Sequence, residues 1–245
     1  MVLKRKKESY KEIKIVHGVF DERTLMSFYK LINKYDISNI SMLEEGKEAV
    51  VLSGLTKEKE SIVIKVYRIE ACDFKKMWSY LVEDPRFTGL GKRTRRVVNI
   101  WCQREFKNMK IAQRAGVNCP KPIAYKDNIL IMSLIGDNGK FARKLIDVRP
   151  DDPKELYKMV LKNLKKLVAG KLIHGDLSAY NILLWDEPYF IDFSHGTTIK
   201  NRNALELLKR DIKNINSYFS KLDIPLKDPE DIFNELIKLI TSKSE

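Results

Sequence analysis

The sequence predicts an α+β chain in two lobes, a mainly β N-terminal lobe and a mainly helical C-terminal lobe, with a short hinge near residue 135. Three observations predict it. Between residues 40 and 67 apolar side chains recur at the period of strands, most cleanly in Ser61 to Tyr67, where Ile62, Ile64 and Val66 share one face. Beyond residue 150 the period lengthens to that of helices, as in Leu156, Val160, Leu164 and Leu167. Between the two patterns, Gly136 to Gly139 reads as a linker. The expected divisions are a basic tail and helix over 1–38, the β lobe over 39–135 with an insertion at 70–96, and the helical lobe over 136–245.

Each element has a local reason. Asp21 can cap a helix running to about Tyr35, with Leu25, Phe28, Leu31, Ile32 and Tyr35 at helical spacing. Short strands follow at Ile40 to Leu43, Ala49 to Ser53 and Ser61 to Tyr67; Lys65 points away from the apolar face of the last. Residues 70 to 96 lack sustained periodicity, contain Pro85, Gly89 and Gly91, and read as a mobile loop. A helix from about Val97 to Ala115 carries Val98, Trp101, Cys102, Met109 and Ala112 on one stripe, with Glu105 on that stripe and Gly116 as its stop. Ile123 to Tyr125 and Ile129 to Ser133 make a hairpin around Lys126-Asp127-Asn128. In the second lobe a helix closes at Gly170, and strands are expected at Ile182 to Trp185 and Tyr189 to Phe193. Helices follow at Ala204 to Phe219 and, with Asp228 as cap and Pro229 at its first position, at Ile232 to Ile240.

Composition narrows the function classes. The 245 residues are 44% hydrophobic, which suits a chain with a real core and excludes disorder throughout. No apolar run approaches the roughly 20 residues of a membrane helix, and no apolar region follows the basic start, so an unsecreted protein without a membrane partner is expected. Cys72, Cys102 and Cys119 have no metal-ligand spacing and fit a reducing cytoplasm. The net charge of +13 is concentrated: residues 1–14 carry six basic and two acidic side chains, and residues 86–114 nine basic and one acidic. The rest of the chain is nearly neutral, so a nucleic-acid partner, if any, is met by two segments.

The strongest chemical signal is His174-Gly175-Asp176-Leu177-Ser178-Ala179-Tyr180-Asn181, followed by Ile191-Asp192-Phe193. Phosphoryl transfer needs a carboxylate beside the attacking oxygen, and an amide and a second carboxylate to hold Mg²⁺ on the phosphates. An Asp, four residues, an Asn, and a later Asp behind a strand have the spacing of kinase catalytic loops. That makes Asp176 the base and Asn181 and Asp192 the metal ligands, with His174 a structural brace. Any of these alone would be a turn or capping residue. Lys65 and Glu105 are charges beside apolar positions of their own elements, and an ion pair resolves both; Lys65 then reaches the α- and β-phosphates. Arg104 and Lys107 flank Glu105 on other faces. Glu44-Glu45-Gly46-Lys47-Glu48-Ala49 is either a hairpin turn or a phosphate-covering loop with one glycine in place of three.

These residues resemble the RIO family of atypical protein kinases, type-one subfamily. The resemblance rests on Phe20 to Leu25, Gly46 to Ala49, Ile64 to Tyr67, Trp101 to Glu105, Cys119 to Pro122, Ile131 to Gly136, His174 to Ser178 and Ile191 to Phe193. It implies a two-lobed protein-kinase-like fold with a truncated C-terminal lobe and an extra N-terminal helix. It also implies ATP with Mg²⁺ or Mn²⁺, with Gly46, Lys47 and Met132 at the nucleotide and adenine bonded to the backbone of Ser133 and Ile135. Serine autophosphorylation before Glu105 and work in late maturation of the small ribosomal subunit and its rRNA are implied too, as is transient acceptance of phosphate by Asp192, giving ATPase behaviour. Lys65 and Glu105 lie 40 residues apart, which fits an insertion, and 53 residues follow Asp192, too few for a peptide-docking platform.

Four positions depart from the usual pattern, three from that of the family and Ser194 from that of typical kinases. Glu44 and Glu45 stand where hydroxyl residues are usual and would repel a triphosphate unless they point outward. Ala179 replaces an acidic residue, and Ser194 follows Asp192-Phe193 in place of glycine. Alternatives to a serine kinase and ATPase are a nucleotide-sensing ribosome- or rRNA-binding module without turnover and a small-molecule phosphotransferase. Candidate autophosphorylation residues are Ser79, Thr88 and Thr94.

Overall fold

The computed structural model describes residues 20–87, 89–137 and 139–241. The basic tail and the candidate acceptor Thr88 lie outside the described residues. Two compact units interleave along the chain. The first takes the described residues up to Ser79, Leu90–Phe106 and Pro122–Phe141; the second takes Tyr80–Gly89, Lys107–Lys121 and the described residues from Ala142 onward.

The first unit begins with α1 (Glu22–Lys34), whose free N–H groups at Arg23 and Thr24 are satisfied by the Asp21 carboxylate at 3.1 and 3.2 Å. Five strands follow: β1 (Ser38–Glu45), β2 (Ala49–Leu55), β3 (Ser61–Tyr67), β4 (Pro122–Lys126) and β5 (Ile129–Ser133). They form an antiparallel sheet in the order β1-β2-β3-β5-β4. One face buries Ile62, Ile64, Val66, Leu52 and Ile131 against Phe28 and Leu31 of α1. Lys65 and Tyr67 occupy the other face of β3, as strand alternation requires. The chain segment expected as a linker instead forms a small hairpin, β6 (Gly136–Asp137) and β7 (Lys140–Phe141).

The stretch 70–96, expected as a loop, contains α2 (Phe74–Val82) and the first residues of α3 (Thr94–Arg114). Phe74, Met77, Trp78 and Leu81 follow the i, i+3, i+4, i+7 pattern, Met77 and Leu81 are buried, and Asp73 accepts from the Lys76 N–H at 3.0 Å. Nine residues are too few for a period to stand out beside Pro85 and two glycines. The boundary between the units falls within α3, after Phe106. Arg104, expected on a flank, is fully buried with its guanidinium 5.1 Å from the Trp101 ring.

In the second unit β8 (Arg143–Lys144) precedes α4 (Pro153–Ala169), which is capped by Asp152 accepting from Glu155 N–H at 2.9 Å. Gly170 ends α4 for a different reason from the one expected. Its φ is −76°, the left-handed residue is Lys171, and a Cβ at Gly170 would stand 2.6 Å from that of Ala115. Then come β9 (Leu172–Ile173), β10 (Ile182–Leu184), β11 (Pro188–Phe190) and β12 (Thr197–Thr198), with α5 (Ala204–Phe219) and α6 (Pro229–Thr241) closing the chain. The expected strand to Phe193 stops at Phe190, and Phe193–His195 is a 3₁₀ turn. Val160, Leu164, Leu208, Ile212 and Phe219 are buried in this unit.

Candidate active site

The first unit holds a buried ion pair. Lys65 stands on β3 between Val51 of β2 and Leu130 of β5, and its Nζ lies 3.0 Å from Glu105 Oε1 on α3. The Glu105 side chain is 1% exposed and that of Lys65 12%, so each charge is desolvated and depends on its partner. The second oxygen of Glu105 accepts from the hydroxyl of Tyr67, which shares the Lys65 face, and the Lys65 ammonium is 4.9 Å from the Tyr67 ring. Sequence reasoning missed Tyr67, because an aromatic residue at a strand position reads as core.

Between β1 and β2, Gly46 N–H donates to Ala49 O at 2.9 Å, the geometry of a hairpin turn, and Lys47 is exposed in it. Glu45 is paired with Arg68, whose own N–H donates to Glu48 O at 2.9 Å, so this carboxylate is committed to the strand end; Glu44 is exposed. At the end of β5, Leu134 N–H donates to Ser61 O at 3.0 Å. β4 starts at Pro122, opposite Met132, so the backbone of Ser133 and Ile135 lies past the start of that neighbour.

The second unit holds the carboxylates. β9 leads into His174, which is fully buried with Nε2 3.0 Å from Ile191 O; burial pushes its pKa down to about 4, against Asp192 and the Ile191 carbonyl. The imidazole is neutral at pH 7, and this hydrogen bond assigns its proton to Nε2, so it braces the loop. Gly175 has φ +76°, and a Cβ there would lie 2.8 Å from His195 O. Asp211 of α5 accepts from the N–H groups of Gly175 and Leu177 at 2.8 Å each, while Arg210 donates to Gly175 O. Burial raises the Asp211 pKa to about 7, outweighing those two N–H donors and the Arg210 charge. Asp176, between the two anchored residues, keeps a side chain 49% exposed, with His195 Nδ1 4.0 Å from its Oδ2.

Asn181 Nδ2 donates to Asp176 O at 2.8 Å and lies 3.3 Å from Asp176 Oδ2, which turns the amide oxygen of Asn181 the other way. Ile191 N–H donates to Asn181 O at 3.0 Å, tying the strand before Asp192 to the loop. Asp192 has left-handed backbone, φ 59° and ψ 68°. Among the described residues no three His, Cys, Asp or Glu side chains converge. Asn181 and Asp192, the two ligands expected from the sequence, would offer one amide oxygen and one carboxylate, hard donors in the small number that suits Mg²⁺ sharing its coordination with phosphate oxygens. The chemistry of these two side chains fits that ion.

The RIO domain family pattern matches residues 50–232. The RIO-type serine/threonine-protein kinase Rio1 of Haloferax volcanii is 39% identical over 212 residues, 86% of this chain and 73% of that protein. Its counterpart in Methanocaldococcus jannaschii is 36% identical over 245 residues, 99% of this chain and 82% of the other. Among solved structures, the Rio2 kinase of Chaetomium thermophilum in a complex with ADP, Mg²⁺ and phosphoaspartate aligns with a TM-score of 0.64 at 20% identity, covering 89% of this chain and 69% of that one. At that identity the likeness concerns the fold, which is the α+β, protein-kinase-like one expected.

Proposed function

The chain belongs to the RIO domain family, and we propose from that premise that it is an ATP-dependent serine/threonine protein kinase with ATPase and autophosphorylating activity. The observation that carries the reading is the loop in which Asp176 and Asn181 are locked together, with Asp192 following in left-handed backbone. In this reading Glu105 holds the Lys65 ammonium for the α- and β-phosphate oxygens, and the backbone at Ser133 and Ile135 orients adenine. Asn181 and Asp192 hold Mg²⁺ or Mn²⁺, which supplies charge neutralisation on the phosphates when bound. Asp176 takes the proton of the attacking hydroxyl or water.

The relatives' kinase names support phosphoryl transfer from ATP, and the phosphoaspartate in the Rio2 complex supports a two-step course. An Asp192 oxygen attacks the γ-phosphorus as its bond to the ADP oxygen breaks, and water then hydrolyses the acyl phosphate, losing its proton to Asp176. A partner in the small ribosomal subunit precursor, a cytoplasmic location, and Ser79 or Thr94 as acceptors are part of the proposal; both side chains are exposed. The basic stretch at 92–96 supports the rRNA part. Single turnover with γ-labelled ATP tests the whole: protein-bound phosphate should vanish in Asp192→Asn and persist longer in Asp176→Ala. Nucleotide binding without any hydrolysis in the wild type would replace this reading with a nucleotide-sensing module.

A further inference from the structure

A chain of hydrogen bonds in the second unit reaches the turn after Asp192 from a segment that the proposed mechanism does not use. Asn108, fully buried on α3, donates its amide NH₂ to two carbonyls, Phe193 O at 2.8 Å and Gly196 O at 2.7 Å. Those carbonyls belong to the two ends of the 3₁₀ turn that Asp192 caps. The approach is close: a Cβ at Gly196 would stand 2.8 Å from Asn108 Nδ2, so a side chain there would push the amide off the turn.

An amide can point either way, and what fixes this one is Arg86. Its NH1 donates to Asn108 Oδ1 at 2.8 Å. A guanidinium has only donors, so Asn108 must offer it oxygen and therefore presents NH₂ to the turn. Arg86 is itself fixed by Asp84, whose buried carboxylate receives Nε at 2.9 Å and NH2 at 2.6 Å in a two-pronged pair. The Arg86 backbone N–H adds a third bond to the same carboxylate at 3.1 Å. Phe87 lies under the guanidinium, 5.6 Å from ring centre to Arg86 Cζ.

We propose that Arg86, set by Asp84, is a positioning residue for the proposed metal-bearing turn, acting through Asn108 to hold Asp192 in the backbone conformation that presents its carboxylate. This rests on the reading of Asp192 as a metal ligand.

The test uses the full chain and two readouts: Mn²⁺ affinity in the presence of ATP, followed by the loss of the free-ion EPR signal, and single-turnover ATP hydrolysis against Mg²⁺ concentration. Arg86→Met combined with Asp84→Asn removes the fork without leaving a buried carboxylate unpaired, and Asn108→Leu removes the last link. Each is expected to weaken Mn²⁺ binding about tenfold and to raise the half-maximal Mg²⁺ concentration by a similar factor, while ATP affinity measured in EDTA is unchanged. The triple variant should be no worse than Asn108→Leu alone, because the links act in series. A lowered melting temperature with unaltered metal affinity would overturn the positioning role and leave the kinase reading intact. A wild type that binds no Mn²⁺ with ATP would overturn both.

Discussion

Tyr67 supports the Lys65–Glu105 pair by donating its hydroxyl to the second carboxylate oxygen of Glu105. Tyr67→Phe keeps the ring and removes that donor from a buried carboxylate. The expected cost is about 1–3 kcal/mol in chemical denaturation, with weaker ATP binding in titrations because Glu105 then holds Lys65 less firmly. His174 allows a sharper test. Its pKa is near 4 in the folded chain against 6.5 for an ordinary histidine, so the folded state resists protonation. Stability from this group is complete above about pH 6.5, falls as pH drops toward 4 and levels off below, by about 3 kcal/mol in all. The stability difference between wild type and His174→Gln, measured across that window, should shrink by this amount, and the subtraction removes the opposing titration of Asp211. Lys65 and Glu105 were legible in the sequence because a charge on an apolar stripe asks for a partner. Asp211 was not, because its partners are backbone N–H groups 34 and 36 residues away, which carry no side-chain signature.

Elements were readable in proportion to the strength of their local signals. α1, α5 and α6 begin where their caps or their periodicity place them, and α6 is opened by Asp228 accepting from Glu230 N–H at 2.8 Å ahead of its first turn. The short pieces α2, β6 and β7 escaped detection, since two to nine residues hold too few repeats and their stability comes from packing. The α1 cap ties the helix start to the first turn of α3. Asp21 binds two helix N–H groups and Thr24 Oγ1, and it pairs with Arg95 at 2.8 Å. Burial opposes its charge, but the bonds from Thr24 and Arg95 prevail and hold its pKa below the usual value. Asp21→Ala should cost about 1 kcal/mol in thermal or denaturant unfolding, with Asp21→Asn retaining most of the cap. Equal stability of Asp21→Ala and wild type would show that the helix is held by its apolar face alone.

Over the whole molecule the charge of +13 resolves into side chains with different tasks. Of the basic residues between 86 and 114, Arg86 is committed to Asp84 and Asn108, Arg95 to Asp21, and Arg104 is buried. Sequence alone counts these together with the rest, because a formal charge does not say whether it faces water or a carboxylate. Lys92 and Arg93 are exposed just ahead of α3, as are Arg96, Lys107 and Arg114 within it, and the first two are open to a polyanion. Each phosphate that a removed cation no longer neutralises should lower the slope of log affinity against log salt by about 0.7–0.9. In the rRNA-binding reading proposed above, Lys92→Ala with Arg93→Ala should weaken binding to small-subunit rRNA at low salt and reduce that slope by about 1.5, with ATP affinity unchanged. Arg95→Ala would not isolate this effect, since it also removes a partner of the α1 cap. Fluorescence anisotropy over a KCl series gives both quantities, and a slope identical to wild type would mean that these two cations are only solvated charge.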